Sequence, residues 1–289
     1  MVSLSQQKNK RNALFRKGLI TSSIWLYAFL VLVSVVCLAP FLIVFVNATR
    51  SDTEVVQSFT LIPGMSFSAN WNTLDSRINF FRSFLNSAFI AISVTVLTCY
   101  FGSMCGYSLA KLKFKGRKAV FSLVLLTMIV PWQIGLIGFF DLMNSYGLLD
   151  SYWPLIIPSI GNSSMVFFTR QYMEVAVETE LLDAARMSGA GEVRIFHSFI
   201  LPIASPAIFT MGIFAFIGSW NNYLTPFIII ISNEKFTLPL TLGLINNPQE
   251  FHPGATYLLL AISVGIAVAI FALFSKSIFL GLNDGSLKG

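Results

Sequence analysis

The sequence predicts an all-α, polytopic membrane protein with six transmembrane helices and with the N- and C-termini cytoplasmic. Three observations carry that expectation. The 289 residues are 55% hydrophobic and only 11% charged, against roughly 25% charged residues in soluble domains, and the mean hydropathy is +0.73. Asp, Glu, Lys and Arg are missing from 18–49, 83–110, 119–140, 151–169, 195–233 and 251–275, and each stretch approaches or exceeds the ~20 residues that cross a bilayer as helix. With the N-terminus inside, 15 of the 19 basic residues fall on interior segments and only Arg50, Arg77, Arg82 and Lys235 fall outside. The interior loops are short, so this asymmetry sets the orientation.

In chain order, a single transmembrane domain, 1–289, is built as follows. The first span, about 24–47, follows a basic N-terminal segment. Its apolar run from Ile24 to Val46 exceeds the 7–15 residues of a signal-peptide core, so it reads as uncleaved. Residues 55–74 carry no charge but mix Gln, Asn, Ser, Pro and Gly, and read as an exterior loop. Spans follow at about 84–110 and 119–140, with Lys111, Lys113, Lys115, Arg117 and Lys118 between them, and then at 153–173. The 39-residue stretch 195–233 would be about 59 Å of helix, too long for one crossing and too short for two. It reads as one span, 200–230, with an interfacial lead-in, Pro202 and Pro206 lying near its start where missing N–H groups matter least. An exterior loop, 232–255, precedes the last span, 256–280. Cys37, Cys99 and Cys105 all fall in spans as small apolar fillers, with no disulfide or metal pattern.

The formal charge of +6 reflects orientation and attraction to anionic membrane lipid. No basic run is interleaved with aromatics, so no nucleic-acid partner is expected. No catalytic constellation is visible either. His197 and His252 fall on opposite sides of the membrane and cannot share a metal or act as a pair. Gly189-Ala190-Gly191 lacks the lysine of a phosphate loop, so no catalytic residue, metal ligand or cofactor is assigned to this chain. The charge-free stretches hold no charged side chain, only His197 and His252 near their ends, which argues against an ion-coupled carrier. Their polar residues are neutral: Asn86, Ser87, Ser93, Thr95 and Thr98 in the second, Asn162, Ser163 and Ser164 in the fourth, and Ser219 to Tyr223 in the fifth. Such a lining suits a neutral, hydroxyl-rich solute, and Asn86, Trp220, Asn221, Asn222 and Tyr223 form the candidate substrate path. The competing reading is that these side chains bond neighbouring helices, at about 0.6–2 kcal/mol each. On residues alone, a stand-alone carrier or channel for a neutral polar solute is the alternative class.

One polar stretch interrupts the apolar pattern: residues 178–206, "ETELLDAARMSGAGEVRIFHSFILPIASP". Leu181, Leu182, Ala184, Ala185 and Met187 give a helix over 178–188 an apolar surface, and Gly189 ends it. A second short helix is expected from about Glu192 to His197. Two short helices joined by glycines suit insertion into a partner's groove. The acids outnumber the bases four to two over 178–194, which disfavours adsorption to anionic lipid.

Within it, "ELLDAARMSGAGEVRIFHSFILP" resembles the cytoplasmic EAA loop of binding-protein-dependent ABC transporter permeases. Ala184, Ala185, Gly189, Ala190, Leu201 and Pro202 fit the pattern, while Asp183 replaces its usual Glu and Ser188 its usual Asp. The second replacement rules out a carboxylate at 188 as the group that cements the loop. "NSAF" at 86–89, "GYSLAKLKFKGRK" at 106–118, Pro131, "YGLLDS" at 146–151, "WNNYLTP" at 220–226, "KFTLPLTLG" at 235–243 and the closing "GLNDGSLKG" are similar to the carbohydrate branch, specifically its MalG-like subunit. The resemblance implies a permease subunit of an ATP-driven importer for a sugar, a di- or oligosaccharide, working by alternating access. Its implied partners are a homologous second permease (MalF-like), two copies of a cytoplasmic ABC ATPase that carry ATP and Mg, and an extracellular solute-binding protein. The implied ATPase-docking residues are Glu180, Asp183, Ala184, Ala185, Ser188, Gly189, Ala190, Val193 and Phe196. The loop "NNPQEFHPG" matches the segment that reaches into the binding protein, which gives Asn246, Asn247, Pro248 and Gln249 as contacts, and Lys288 and Gly289 match a tail that touches the ATPases. The implied location is the bacterial or archaeal plasma membrane.

Overall fold

The computed structural model describes the backbone of residues 4–247 and 250–286, with side chains described over 25–245 and 251–273. Fourteen α-helices run through these residues: α1 Leu4–Asn47, α2 Asp52–Gln57, α3 Phe67–Arg77, α4 Phe80–Lys111, α5 Arg117–Ile129, α6 Leu136–Ser145, α7 Trp153–Ile156, α8 Ser163–Ala176, α9 Thr179–Met187, α10 Glu192–Ile195, α11 Leu201–Trp220, α12 Leu224–Ile229, α13 Leu238–Ile245 and α14 Pro253–Ser286. The only pairing of strands among them is a two-residue antiparallel ladder, Asn246 opposite Phe251 and Asn247 opposite Glu250. The chain is therefore all-α.

Among the described residues, four helical stretches are long and apolar enough to cross a bilayer: Trp25–Asn47, Phe80–Lys111, Glu192–Trp220 and Pro253–Leu273. The expected span at 119–140 is instead two helical pieces, Arg117–Ile129 and Trp132–Ser145, bent by 89°. Pro131 explains the bend, since it disfavours helical backbone at the residue before it, and Val130 is extended. The expected span at 153–173 is broken as well, into α7, a 3₁₀ turn over Ile157–Gly161 and α8. Pro154 and Pro158 withdraw backbone donors there, and Asn162 caps the new helix by accepting from Met165 N at 2.8 Å. The expected span at 200–230 begins earlier and ends at Trp220. Pro202 thus lies inside a helical run, where its missing N–H and its ring are absorbed by a wide π-turn over Phe196–Ile200, with Leu201 N donating to Phe196 O.

Two buried clusters lie at opposite ends of α4, a helix of about 48 Å by its 32 residues. One joins Leu74, Phe80, Trp220, Leu238, Ile245 and Leu258. The other joins Tyr107, Met165, Met173, Leu182, Ile195 and Phe196. The crossing of α4 on α8 is close because Gly102 and Gly106 present no side chain: a Cβ at Gly102 would sit 2.5 Å from Met165 Cγ, and one at Gly106 would overlap Thr169 Oγ1. This small-residue pair spaced by four is how apolar helices come close where no hydrophobic force separates protein from lipid.

Near the Trp220 end, polar groups fasten the segment between α12 and α13. Asn86 Nδ2 donates to the carbonyls of Glu234 and Phe236, both at 3.0 Å. Leu238 N donates to Ser87 Oγ at 2.8 Å. Asp150, at φ 55°, accepts from the backbone N–H groups of Ile231 and Ser232 at 3.0 and 2.9 Å, from Ser232 Oγ and from Lys235 Nζ. These hydrogen bonds, Ser232 foremost, hold its carboxyl well below the usual carboxylate range.

Candidate functional site: the two-helix loop and its seat

The stretch from Glu178 to Phe196 folds as the alternation of its residues dictates. In α9, Leu182 and Ala185 turn inward and are buried, while Glu180, Asp183 and Ala184 face outward. The acidic Glu180 lies in the first turn and the basic Arg186 in the last, matching the helix dipole. The helix then closes with a paired-bond cap: Gly189 N donates to Arg186 O at 2.9 Å and Ala190 N to Ala185 O at 3.0 Å. Gly189 sits at φ +84°, a conformation that side chains with a Cβ resist. Gly191 returns to extended backbone and α10 begins at Glu192.

A charged relay ties the two helices to each other and to the bundle. Arg186 donates to Asp183 Oδ1 through NH1 and to Glu192 Oε1 through Nε, each at 2.8 Å. Glu192 also accepts from the hydroxyl of Tyr107 in α4. The bond to Glu192 pushes the pKa of Arg186 further above its ordinary value, so this guanidinium stays charged. Sequence reasoning did not single out Arg186, Glu192 and Tyr107; the only signal was opposite charge six residues apart across a glycine turn.

Of the nine docking residues expected in this loop, six are exposed: Glu180, Asp183, Ala184, Ser188, Gly189 and Val193. Ala190 is half-buried. Ala185 and Phe196 face the protein instead, Phe196 being only 2% exposed and lying 5.9 and 6.1 Å, ring to ring, from Tyr100 and Tyr107. Their part is to seat the loop, because helical periodicity gives its inner face to the bundle. The outer face gains Met187, 90% exposed, beside Val193 at 74%. Two exposed apolar side chains therefore flank a left-handed glycine turn, with carboxylates alongside, in an exposed knob.

The five candidate path residues are not brought together. Asn86 is engaged by the 234–236 backbone, and Trp220 is 2% exposed, packed against Phe84 and Phe216 with Nε1 donating to Ser263 O at 3.3 Å. Both side chains are thus engaged within the subunit. Asn221 is exposed at the end of α11, and Tyr223 stacks on Phe227 at 5.5 Å. Asn222 Oδ1 accepts from Thr225 N, in the first turn of α12, at 3.3 Å. It also lines a cavity of about 530 Å³. Of the binding-protein contacts, Asn246 and Asn247 form the first arm of the short β-ladder, while Pro248 and Gln249 lie outside the described residues, as do Lys288 and Gly289. His197 and His252 are at opposite ends of the bundle, and no cluster of three metal-ligating side chains occurs among the described residues.

Comparison with known proteins gives this geometry a context. Residues 99–282 match the family described as binding-protein-dependent transport system inner membrane component. The arabinooligosaccharides transport system permease protein AraQ of Halalkalibacterium halodurans is 36% identical over 275 residues, covering 91% of this chain and 94% of that protein. The maltodextrin transport system permease protein MdxG of Bacillus subtilis is 32% identical over 277 residues, covering 91% and 95%. A chain in the crystal structure of a bacterial ABC transporter that imports the acidic polysaccharide alginate superposes with a TM-score of 0.75 at 23% identity, over 90% of this chain and 96% of that one. At that identity the likeness speaks for the fold.

Proposed function

The chain belongs to the family of binding-protein-dependent transport system inner membrane components, and from this we propose that it is one membrane subunit of an ATP-driven importer for a di- or oligosaccharide. It is a permease subunit and not an enzyme; ATP hydrolysis belongs to a separate subunit. In our reading an extracellular solute-binding protein delivers the sugar, a homologous permease completes the pathway, and two copies of an ATPase bind ATP and Mg. The chain crosses a bacterial or archaeal plasma membrane six times with both termini inside.

The observation that carries the coupling part is the continuity between the docking knob and a membrane helix. Arg186 and Glu192 lock α9 to α10, and α10 runs through the π-turn into α11 as one helical stretch, Glu192–Trp220. At 29 residues this lever spans about 44 Å. Displacement of Met187 and Val193 by a closing partner is therefore passed along this helix toward the Asn221–Tyr223 break at its far end. Because a ligand shifts a two-state equilibrium only by its differential affinity for the states, the knob must bind better in one membrane conformation than in the other.

The test is co-expression with the genomic neighbours, pull-down through this chain, and ATP-dependent uptake in proteoliposomes with arabinooligosaccharides and maltodextrins offered separately. Recovery of an ATPase and a second permease, with uptake of one of these sugars, is the expected result. Recovery of the chain alone, or uptake without ATP, would sink the importer reading.

A further inference from the structure

Three interruptions of helix meet around one cavity. The bend at Val130–Pro131 brings Trp132 and Phe139 to it, the 3₁₀ turn before α8 brings Ser159 and Asn162, and the break after Trp220 brings Asn222. Non-helical backbone at membrane depth is tolerated where it is buried in protein or lines a polar cavity, and broken helices converging on one space mark binding sites in transporters. At about 530 Å³ the space falls in the 300–1,000 Å³ range of small-molecule sites.

We infer that this cavity is a sugar subsite contributed by this subunit, and that it selects neutral glycans over uronates or sugar phosphates; the inference rests on the importer reading. Its lining residues include no Asp, Glu, Lys, Arg or His, so an anionic sugar entering it would lose hydration without gaining a counter-charge. Trp132, 52% exposed, offers an apolar ring face to the C–H face of a pyranose or furanose. The polar side chains are the amides of Asn162 and Asn222 and the hydroxyls of Ser159 and Thr225, with bonding capacity left. Asn162 uses Oδ1 for Met165 N, while its Nδ2 has no partner among the described residues. The Asn222 side chain bonds Thr225 through both its amide atoms, and Ser159 Oγ donates to Ile156 O with its lone pairs still open to a sugar hydroxyl. Asn86 and Trp220, both engaged elsewhere, lie outside this subsite.

The test uses the complete importer in proteoliposomes, with Ser159→Cys in a background carrying Cys37→Ser, Cys99→Ser and Cys105→Ser. We expect labelling by a small water-soluble thiol reagent during turnover to slow at least threefold with arabinotriose or maltotriose, but not with trigalacturonate. Trp132→Ala should cut uptake about tenfold, the factor carried by one apolar contact. Trp132→Phe should restore uptake to within about twofold by keeping a ring face, and Ile134→Ala, on the same turn but outside the cavity, should change nothing. Labelling blocked with or without sugar would mean that the partner permease fills the space, and would overturn the subsite. So would equal protection by trigalacturonate, or uptake indifferent to Trp132→Ala in an importer whose wild type transports a neutral sugar. A wild type that transports no glycan would overturn the importer reading itself.

Discussion

Gly189 allows the backbone requirement of the docking loop to be separated from its contacts with a partner. Its φ of +84° and the absence of any atom within 4 Å of a built Cβ mean that replacing it by Ala strains only the backbone. The left-handed conformation costs a residue with a Cβ about 1–2 kcal/mol, which multiplies the open population of the turn roughly 5–30-fold. The Ala190 amide, bonded to Ala185 O at 3.0 Å, reports that opening directly, so its hydrogen exchange in Gly189→Ala should accelerate by the same factor. Asn is larger than Ala but tolerates left-handed backbone better. If the turn is the constraint, uptake and ATPase stimulation fall in the order Gly, Asn, Ala. If the need is instead for room against a partner, the order is Gly, Ala, Asn. The second order, or unchanged exchange in Gly189→Ala, refutes the backbone argument.

Other perturbations follow from the packing. Gly106→Val should destabilise the α4–α8 crossing by about 1–3 kcal/mol through overpacking against Thr169, read as a lower thermal midpoint in detergent. Trp220→Ala should cost about 3–5 kcal/mol as a large buried side chain, whereas Asn221→Ala should leave the midpoint unchanged. The carboxyl of Asp150 is held below its ordinary range, so its contribution to the 231–235 segment is complete above about pH 4 and is lost as pH falls through the lowered folded value. Exchange protection of the Ile231 and Ser232 amides should therefore be flat from about pH 8 to pH 5, decline in stronger acid, and disappear at neutral pH in Asp150→Ala.

Much of this molecule was legible locally. Charge-free runs and the glycine turn at Gly189 act through neighbouring backbone, so the helical class, the interruption after Met187 and the short helix from Glu192 could be read without tertiary information, whereas the breaks at Pro131, Pro154 and Pro158 fell inside runs read as continuous spans. The resemblance carried by 180–202 identified the family on similarly local residues. What could not be read is which face of each apolar helix meets protein and which meets lipid, because both are equally apolar and the sequence carries little amphipathic contrast. Hence Trp220 and Asn222, two residues apart, part company, one into the core and one to the cavity. Asn86 is claimed by carbonyls 148 and 150 positions away, and Phe196 turns from the expected docking face to the seat beneath it. The cavity itself arises from three breaks distant in sequence and adjacent only in space. By itself the sequence determined that the chain is helical and which segment is polar, because those follow from composition and side-chain hydration. The tertiary structure alone decided which stops converge, because that depends on close approaches such as Gly102 and Gly106 against α8.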